Sequence, residues 1–168
     1  MKLIYRTLFA FNVALSLAVS SSGFAKDTSP SAAGSASAGS TFNGGQPELS
    51  RIKLRAGMHI ISAEIADSTQ TRANGLMNRS KMATNEGMLF VFERADTQCF
   101  WMRNTILPLS IAFMDDKGAI VSIADMKPQS DDSHCSAKPA KFALEMNQGW
   151  FAHKGVKPGS VIAGLNQK

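Results

Sequence analysis

Residues 51–66, RIKLRAGMHIISAEIA, are the stretch that most clearly indicates the fold. Charged and apolar residues alternate over 51–55, and after Gly57 a second alternating run places the odd-numbered residues 59–65 on one face. Alternation with a period of two is typical of a strand with one buried face, and two such runs around a glycine indicate a hairpin. We therefore predict two antiparallel strands, at 51–55 and 58–66.

Further short strand patterns follow along the chain. Residues 88–92 are all apolar, which predicts a strand buried on both faces. Residues 110–114 and 119–124 flank the Asp-Asp-Lys-Gly sequence at 115–118, which is a hairpin signal. Other strands are predicted at 99–102, 141–146 and 161–165.

Two short helices interrupt the predicted strands. Asp67 as N-cap and Gly75 just past the end bracket a helix over 68–74, and Gly155 ends a second over 148–154. Residues 128–139 are predicted to form a polar loop. Several short strands at this spacing predict a mainly β, compact single-domain fold, a sandwich or barrel-like sheet with two short helices. The spacing argues against a sheet built from β-α-β units.

The first 25 residues have the pattern of a secretory signal peptide. Lys2 and Arg6 precede a short apolar run, and Gly23 and Ala25 supply the small residues of a cleavage site. We predict cleavage after Ala25 and a periplasmic or secreted protein. The alternative is an uncleaved membrane anchor, but a spanning helix needs about 20 apolar residues and this run is shorter.

The mature chain divides into a tether and a domain. Residues 26–48 are rich in Ser, Ala and Gly and are predicted to be a disordered linker, and 49–168 form the domain. Loss of Lys2 and Arg6 lowers the formal charge from +5 to +3, and no run of Lys or Arg occurs. We therefore expect no nucleic-acid partner, and no transmembrane helix in the mature chain.

Several motifs together resemble one known family. They are RANGLM at 72–77 with Arg79, NEGMLFVF at 85–92, FWMRNT at 100–105, ILPLSIAF at 106–113, the turn at 115–118 and ALE at 143–145. In this order and spacing the chain resembles domain of unknown function 192. The resemblance implies a mostly β domain with short helices, often exported in bacteria, and no established reaction. Ser110 stands where many members have Asp, so a role that needs a carboxylate there is in doubt.

The two cysteines, Cys99 and Cys135, are predicted to form a disulfide, because export favours oxidised pairs. The alternatives are two independent thiols, with Cys99 buried in a strand, or a nucleophilic cysteine beside His134. No cysteine-protease signature surrounds either thiol, so catalysis by cysteine is disfavoured.

Metal binding and hydrolysis are not indicated. Nine methionines could supply thioether ligands to copper, but they lack Met-x-x-Met spacing and are better interpreted as core residues. The chain has no Gly-x-Ser-x-Gly, no His-Glu-x-x-His and no Gly-rich phosphate loop. We therefore expect no cofactor, no metal and no catalytic residue of a known type.

A set of polar residues in apolar surroundings remains as the candidate ligand-binding site. Its members are Arg72, Arg79, Glu86, Trp101, Arg103, Asn104, Thr105 and Glu145. Arg offers a planar fork for anions and Trp a flat stacking face, so the set could bind an anionic or sugar-like ligand. The alternative is a structural network in which Arg72 or Arg79 pairs with Glu86 or Glu145.

Three hypotheses about function follow. The favoured one is an exported, non-enzymatic β domain that binds a small ligand or a partner at the cell envelope. The second is an envelope enzyme that uses Glu86 or Glu145 as acid or base, which requires one of them in a cleft with a raised pKa. The third is a purely structural envelope protein.

Overall fold

A computed structural model describes residues 48–165, so the predicted signal peptide and residues 26–47 of the predicted linker lie outside the described residues. The elements are β1 (Arg51–Ala56), β2 (His59–Ala66), α1 (Thr69–Asn74), β3 (Glu86–Asp96), β4 (Cys99–Phe100), β5 (Leu109–Met114), β6 (Ile120–Met126), β7 (His134–Cys135), β8 (Ala140–Asn147), α2 (Trp150–His153) and β9 (Ile162–Ala163).

Seven strands form one curled sheet in the order β6-β5-β8-β3-β2-β1-β9, which confirms the mainly β, barrel-like prediction. Its two edges meet at one end, where the Ile120 amide donates to the Ser160 carbonyl and the Ile162 amide to the Gly118 carbonyl, both at 2.9 Å. Gly118 has a φ of 81°, and a Cβ there would lie 2.4 Å from the Ile162 oxygen. Glycine is therefore required where the sheet closes.

The hairpin predicted at 51–66 is confirmed, because β1 and β2 pair antiparallel from Arg51 opposite Glu64 to Ala56 opposite His59. The next connection is not as expected: β2 and β3 pair in parallel, with α1 in the crossover. The argument against β-α-β units therefore fails at this one pair. The helix itself was expected at 68–74, but the parallel pairing of the strands on either side of it depends on contacts between separate segments and not on a local turn signal.

Both faces of the sheet are buried around its central strands β3, β5 and β8, and each face packs its own core. Phe142, Leu144 and Met146 of β8 lie on the inner face of the curl with Trp150 and Phe151 of α2. Ala143 and its neighbours lie on the outer face, which α1 and the chain around 100–109 cover. Burial on both faces explains the continuous apolar run at 88–92, whose residues alternate between the two cores.

Several predicted boundaries change in the structure. Ser68, not Asp67, caps α1, because the Ser68 hydroxyl accepts from the Thr71 amide and the Ser68 amide donates to the Thr71 hydroxyl. The strand predicted at 99–102 ends at Phe100 and lies outside the main sheet, paired only with β7. The predicted loop at 128–139 contains β7, and the last strand is shortened to two residues.

The disulfide between Cys99 and Cys135 is present, with Cα atoms 4.0 Å apart on directly opposed residues of β4 and β7. Both cysteines are exposed, so the alternative of a buried Cys99 is wrong. The bridge joins two segments, β4 and β7, that lie outside the main sheet. Backbone bonds hold the same segments together, including Met102 to Ser130 at 2.9 Å.

Candidate functional site

A cleft of about 410 Å³ opens beside α1 on the outer face of the sheet. Its lining comes from α1 and the turn after it, from β3, from the segment 99–105 and from β8. Four members of the predicted polar set lie in this lining: Arg72, Trp101, Thr105 and Glu145. The other four, Arg79, Glu86, Arg103 and Asn104, lie outside it.

Aromatic rings form the apolar part of the cleft. The Phe100 ring packs edge to face against Phe90, with centroids 4.8 Å apart, and against Phe92 at 6.3 Å. Beneath the cleft Phe100 also contacts Phe113 of β5, at 5.7 Å. Rings fixed in this way present a rigid, preformed apolar surface to a ligand.

Trp101 stands at the mouth of the cleft, with 51% of its surface exposed. The Arg103 guanidinium lies 4.4 Å from its ring centroid, and the Arg103 Nε donates to the Asp131 carboxylate at 2.8 Å. This ion pair raises the pKa of Arg103. Arg103 therefore supports one face of the indole instead of meeting a ligand, and its charge is balanced.

Arg72 anchors α1 to the sheet. Its Nη1 donates to the Asp67 carbonyl at 2.7 Å and the Val91 carbonyl at 2.8 Å, and its Nη2 donates to Glu93 at 2.8 Å. The pKa of Glu93 is lowered, first by a backbone hydrogen bond and then by the bond from Arg72. Three of the five guanidinium donors are thus used within the protein, which makes Arg72 mainly a structural residue.

Glu145 is the unusual group of the cleft. It projects from β8 toward the outer face and is only 4% exposed. Among residues 48–165, no side chain or backbone group forms a hydrogen bond or ion pair with its carboxyl group. Burial raises the pKa of Glu145 to about 8. The carboxyl group is therefore protonated at pH 7 and can donate a hydrogen bond into the cleft.

Arg79 and Glu86 belong to a separate ionic network. Arg79 Nη1 and Nη2 donate to the two oxygens of Glu64 at 2.7 and 2.6 Å, and both side chains are buried. Arg51 bridges Glu64 at 2.8 Å and Glu86 at 3.3 Å. The structural alternative is thus right for Arg79 but wrong about its partner, which is Glu64 rather than Glu86 or Glu145.

Glu64 is the residue that sequence reasoning missed. It is a lone acidic residue within the alternating run of β2, between Ala63 and Ile65, and it is 2% exposed. An acidic residue in such a run signals a buried partner, because a buried carboxylate needs a cation or hydrogen bonds. The sequence does not show which arginine supplies them.

Asn104 and Thr105 are neighbours in the sequence but have different positions relative to the cleft. Asn104 adopts a φ of 59°, and its carbonyl accepts from the Asn78 amide at 2.9 Å, so it forms a turn beside the cleft. Asparagine tolerates this left-handed conformation better than most residues. Thr105 is buried in the lining, and its backbone accepts from the Gln129 amide at 3.0 Å. Of these two residues, only Thr105 lines the cleft and can contact a ligand there.

Ser110 lies in a second cleft of about 400 Å³, beside α2. Its buried hydroxyl donates to the Asp125 carboxylate of β6 and accepts from the Gly149 amide, the latter at 2.8 Å. A carboxylate is therefore present near Ser110, but it comes from the neighbouring strand. The serine is fully engaged and links β5, β6 and the start of α2.

Within residues 48–165, no group of three or more His, Cys, Asp or Glu side chains is arranged to hold a metal ion. The same part of the chain contains no helix that is long and apolar enough to cross a bilayer.

Comparison with known proteins agrees with the motifs. Residues 52–164 match the DUF192 family, which is described as "Uncharacterized ACR". A crystal structure of a candidate transcription regulator from Sinorhizobium meliloti 1021 is 35% identical, with a TM-score of 0.64 over 68% of this chain and 92% of that one. A protein of unknown function from Novosphingobium aromaticivorans DSM 12444 is 33% identical, with a TM-score of 0.65 over 68% and 85%. No curated protein is significantly similar. The chain therefore belongs to the DUF192 family.

Proposed function

We propose that this protein is an exported, non-enzymatic domain that binds a small, neutral, sugar-like ligand at the cell envelope, in the cleft beside α1. The observation that carries the proposal is Glu145, a buried carboxyl group without a protein partner among the described residues, in a cleft with an exposed indole at its mouth. An unpartnered polar group that lines an apolar cleft is a candidate for ligand contact.

The charges of the cleft favour a neutral ligand over an anionic one. Arg72 is neutralised by Glu93 and Arg103 by Asp131, so neither cation is free to hold an anion. The protonated Glu145 adds no charge at pH 7. Of the two ligand classes that the polar set suggested, the anionic class is therefore the less suitable.

The surface of the cleft favours a sugar-like ligand among neutral ones. The open face of Trp101 can stack on the apolar face of a sugar ring, while the carboxyl group of Glu145 and the hydroxyl of Thr105 can bond its hydroxyl groups. Glycans of the cell envelope combine these two features.

Export is supported by the N-terminal pattern and by the exposed disulfide, since disulfides persist mainly in oxidising compartments. The processed protein is expected to begin at Lys26. Intact-mass measurement of the protein recovered from the cell envelope tests this, and a mass that includes the first 25 residues would mean an anchored protein.

A thermal-shift screen of the protein with neutral envelope glycans, anions and metal ions tests the ligand. We expect stabilisation by a neutral glycan, lost in Trp101→Ala and kept in the control Ile106→Ala, which changes an exposed apolar residue outside the lining. Stabilisation by anions alone would contradict the neutral class. No stabilisation by any compound would favour the purely structural role.

A second candidate function is general acid catalysis by Glu145, because a carboxyl group with a pKa of about 8 in an open cleft is poised to donate a proton near neutral pH. Hydrolysis of a glycoside, however, ordinarily uses a pair of carboxyl groups. Glu145 is the only acidic residue in the described lining of the cleft, which favours binding over hydrolysis.

The Glu145→Gln variant separates the two candidates. In the binding protein the amide still donates a hydrogen bond, so we expect glycan affinity to persist and to lack the pH dependence near pH 8 that the raised pKa of Glu145 predicts for the wild type. In an enzyme the same variant would bind the glycan and release no product. Product formation by the wild type, measured by mass spectrometry of the glycan, would replace the binding proposal with the catalytic one.

A further inference from the structure

The tip of the β1–β2 hairpin and the adjacent edge of the sheet present an unusual surface. Three aliphatic side chains are exposed there: Met58 at 88%, Ile60 at 58% and Val161 at 55%. Monomeric proteins rarely leave several large apolar residues together in water without a use for them. We call this area, with the basic residues described next, the hairpin surface.

Three cations surround the aliphatic residues. Lys53, Arg55 and Ile60 line one shallow cleft of about 430 Å³, and Met58, Lys154 and Val161 line a neighbouring one of about 500 Å³. The two clefts adjoin along β9, because Ala163, which lines the first cleft, lies directly opposite Arg55. Val161, which lines the second cleft, comes two residues before Ala163 and therefore projects from the same face of the extended segment. The hairpin surface is therefore one continuous patch of Lys53, Arg55, Met58, Ile60, Lys154 and Val161.

The charge of this surface is not compensated nearby. Lys53, Arg55 and Lys154 form no ion pair within residues 48–165, and the two clefts have no acidic residue in their described lining. Asp116, on the far side of Val161, is adjacent to Lys117 in the same turn. An unpaired basic rim around an apolar tip is complementary to a surface that carries negative charge above hydrocarbon.

We propose that the hairpin surface binds the anionic lipid surface of a membrane, with Met58 and Ile60 entering the headgroup region and Lys53, Arg55 and Lys154 contacting lipid phosphates. An acidic protein is the less suitable partner, because protein interfaces are enriched in aromatic residues and depleted in lysine. The exposed apolar residues here are aliphatic and project from a hairpin turn instead of lining a deep groove. The proposal is independent of any ligand in the cleft beside α1.

Sedimentation of the full chain with two kinds of vesicle tests the proposal. One kind contains phosphatidylglycerol and phosphatidylethanolamine, and the other contains phosphatidylcholine alone. The N-terminal segment is identical in every variant, so differences between variants report the hairpin surface. We expect the double variant Lys53→Glu, Arg55→Glu to lower partition to the anionic vesicles at least about tenfold at low salt, with little effect on the neutral vesicles.

The matched control is Lys127→Glu, Lys138→Glu, which makes the same charge change at exposed positions outside the surface. An equal loss in the control would show that net charge alone drives binding and would overturn the proposal, as would equal partition of the wild type to both vesicles. A second variant, Met58→Ser with Ile60→Ser, keeps all charges and should lower partition several-fold at high salt. Unchanged partition of this variant would also overturn the proposal, and unchanged melting temperatures show that each variant is folded.

Discussion

Two buried glutamates lie in one row across the sheet and differ completely in their surroundings. Glu64 of β2 and Glu145 of β8 both lie directly opposite Met88 of β3, on either side of it. Glu64 receives three hydrogen bonds from Arg79 and Arg51, whereas no described group bonds the carboxyl of Glu145.

This difference indicates a structural role for Glu64 and is the basis of the proposed ligand-binding role of Glu145, although both residues lie in one row of the sheet. A paired buried carboxylate has its charge balanced and its oxygens hydrogen-bonded within the protein, so it needs no ligand. An unpaired one loses its charge instead, as the raised pKa of Glu145 shows, and its hydrogen-bonding groups remain available in the cleft. The predictions that follow test this contrast, in order of decreasing effect.

The largest effect is expected from Arg79→Met. The variant leaves Glu64 buried with only the partly exposed Arg51 as partner, so the unfolding free energy should fall by about 3–5 kcal/mol. Urea denaturation at pH 7 measures it. The double variant Arg79→Met, Glu64→Gln should recover part of the loss, because no unpaired charge remains. If the unfolding free energy fell by less than about 1 kcal/mol, the ion pair of Glu64 would matter no more than an exposed one, and the contrast with the unpaired Glu145 would be wrong.

Reduction of the disulfide between Cys99 and Cys135 is expected to destabilise the protein around the cleft that contains Glu145, because Cys99 is part of the cleft lining. The bridge joins residues 36 positions apart, and the chain-entropy model gives about 3–4 kcal/mol for such a loop. The melting temperature should fall, and hydrogen exchange should accelerate near Cys99 and Cys135 but not near Arg79. Thiol titration of the denatured, unreduced protein should find no free thiol, and two titratable thiols would refute the bridge.

Glu145→Gln should stabilise the protein at neutral pH. The unfolded chain releases the Glu145 proton near pH 4.5, whereas the native state keeps it to about pH 8. The native state therefore binds more protons between these values, and the wild-type unfolding free energy falls as pH rises through this window. At pH 7 the variant should be more stable by about 3 kcal/mol.

Denaturation of the wild type and of Glu145→Gln at pH 4, 6 and 8 measures this effect. The gap between the two proteins should be small at pH 4 and should widen with pH. A gap that does not change with pH would mean that Glu145 is ionised or solvated in the native state, and would remove the basis of the proposed site.

The smallest effect is expected from the exposed ion pair at the mouth of the cleft. Arg103→Ala removes the bond to Asp131 and should lower the unfolding free energy by less than about 1 kcal/mol, because exposed pairs are weak. Arg94→Ala is the control, since Arg94 forms another exposed pair, with Asp96 at 3.9 Å. Glycan affinity should fall only in Arg103→Ala, because only Arg103 supports the Trp101 ring.

Local patterns predicted most of the elements. The alternation around Gly57 and the turn at 115–118 both specify antiparallel hairpins, and the structure contains both. Such signals depend on neighbouring residues, so they can be interpreted without knowledge of the rest of the fold. The parallel pairing of β2 with β3 was missed, because it depends on contacts made after a crossover and not on a turn.

The candidate site was only partly predictable for the same reason. The sequence identifies eight polar residues in apolar surroundings, but four line the cleft and four do not. Arg72 and Arg79 are only seven positions apart, yet one holds α1 to β3 and the other neutralises Glu64. Their partners come from distant strands, so no local pattern distinguishes them.

The sequence by itself determined the mainly β class, the hairpins and the family, since these follow from periodicity and motif order. With only two cysteines, it also limited an intramolecular disulfide to the pair Cys99 and Cys135. Only the tertiary structure decided that Glu64 is paired and Glu145 is not. Both are single acidic residues in apolar strands, and burial is similar for both. Whether such a group keeps its charge depends on a cation brought to it by the packing of other segments, and that placement is a property of the folded chain.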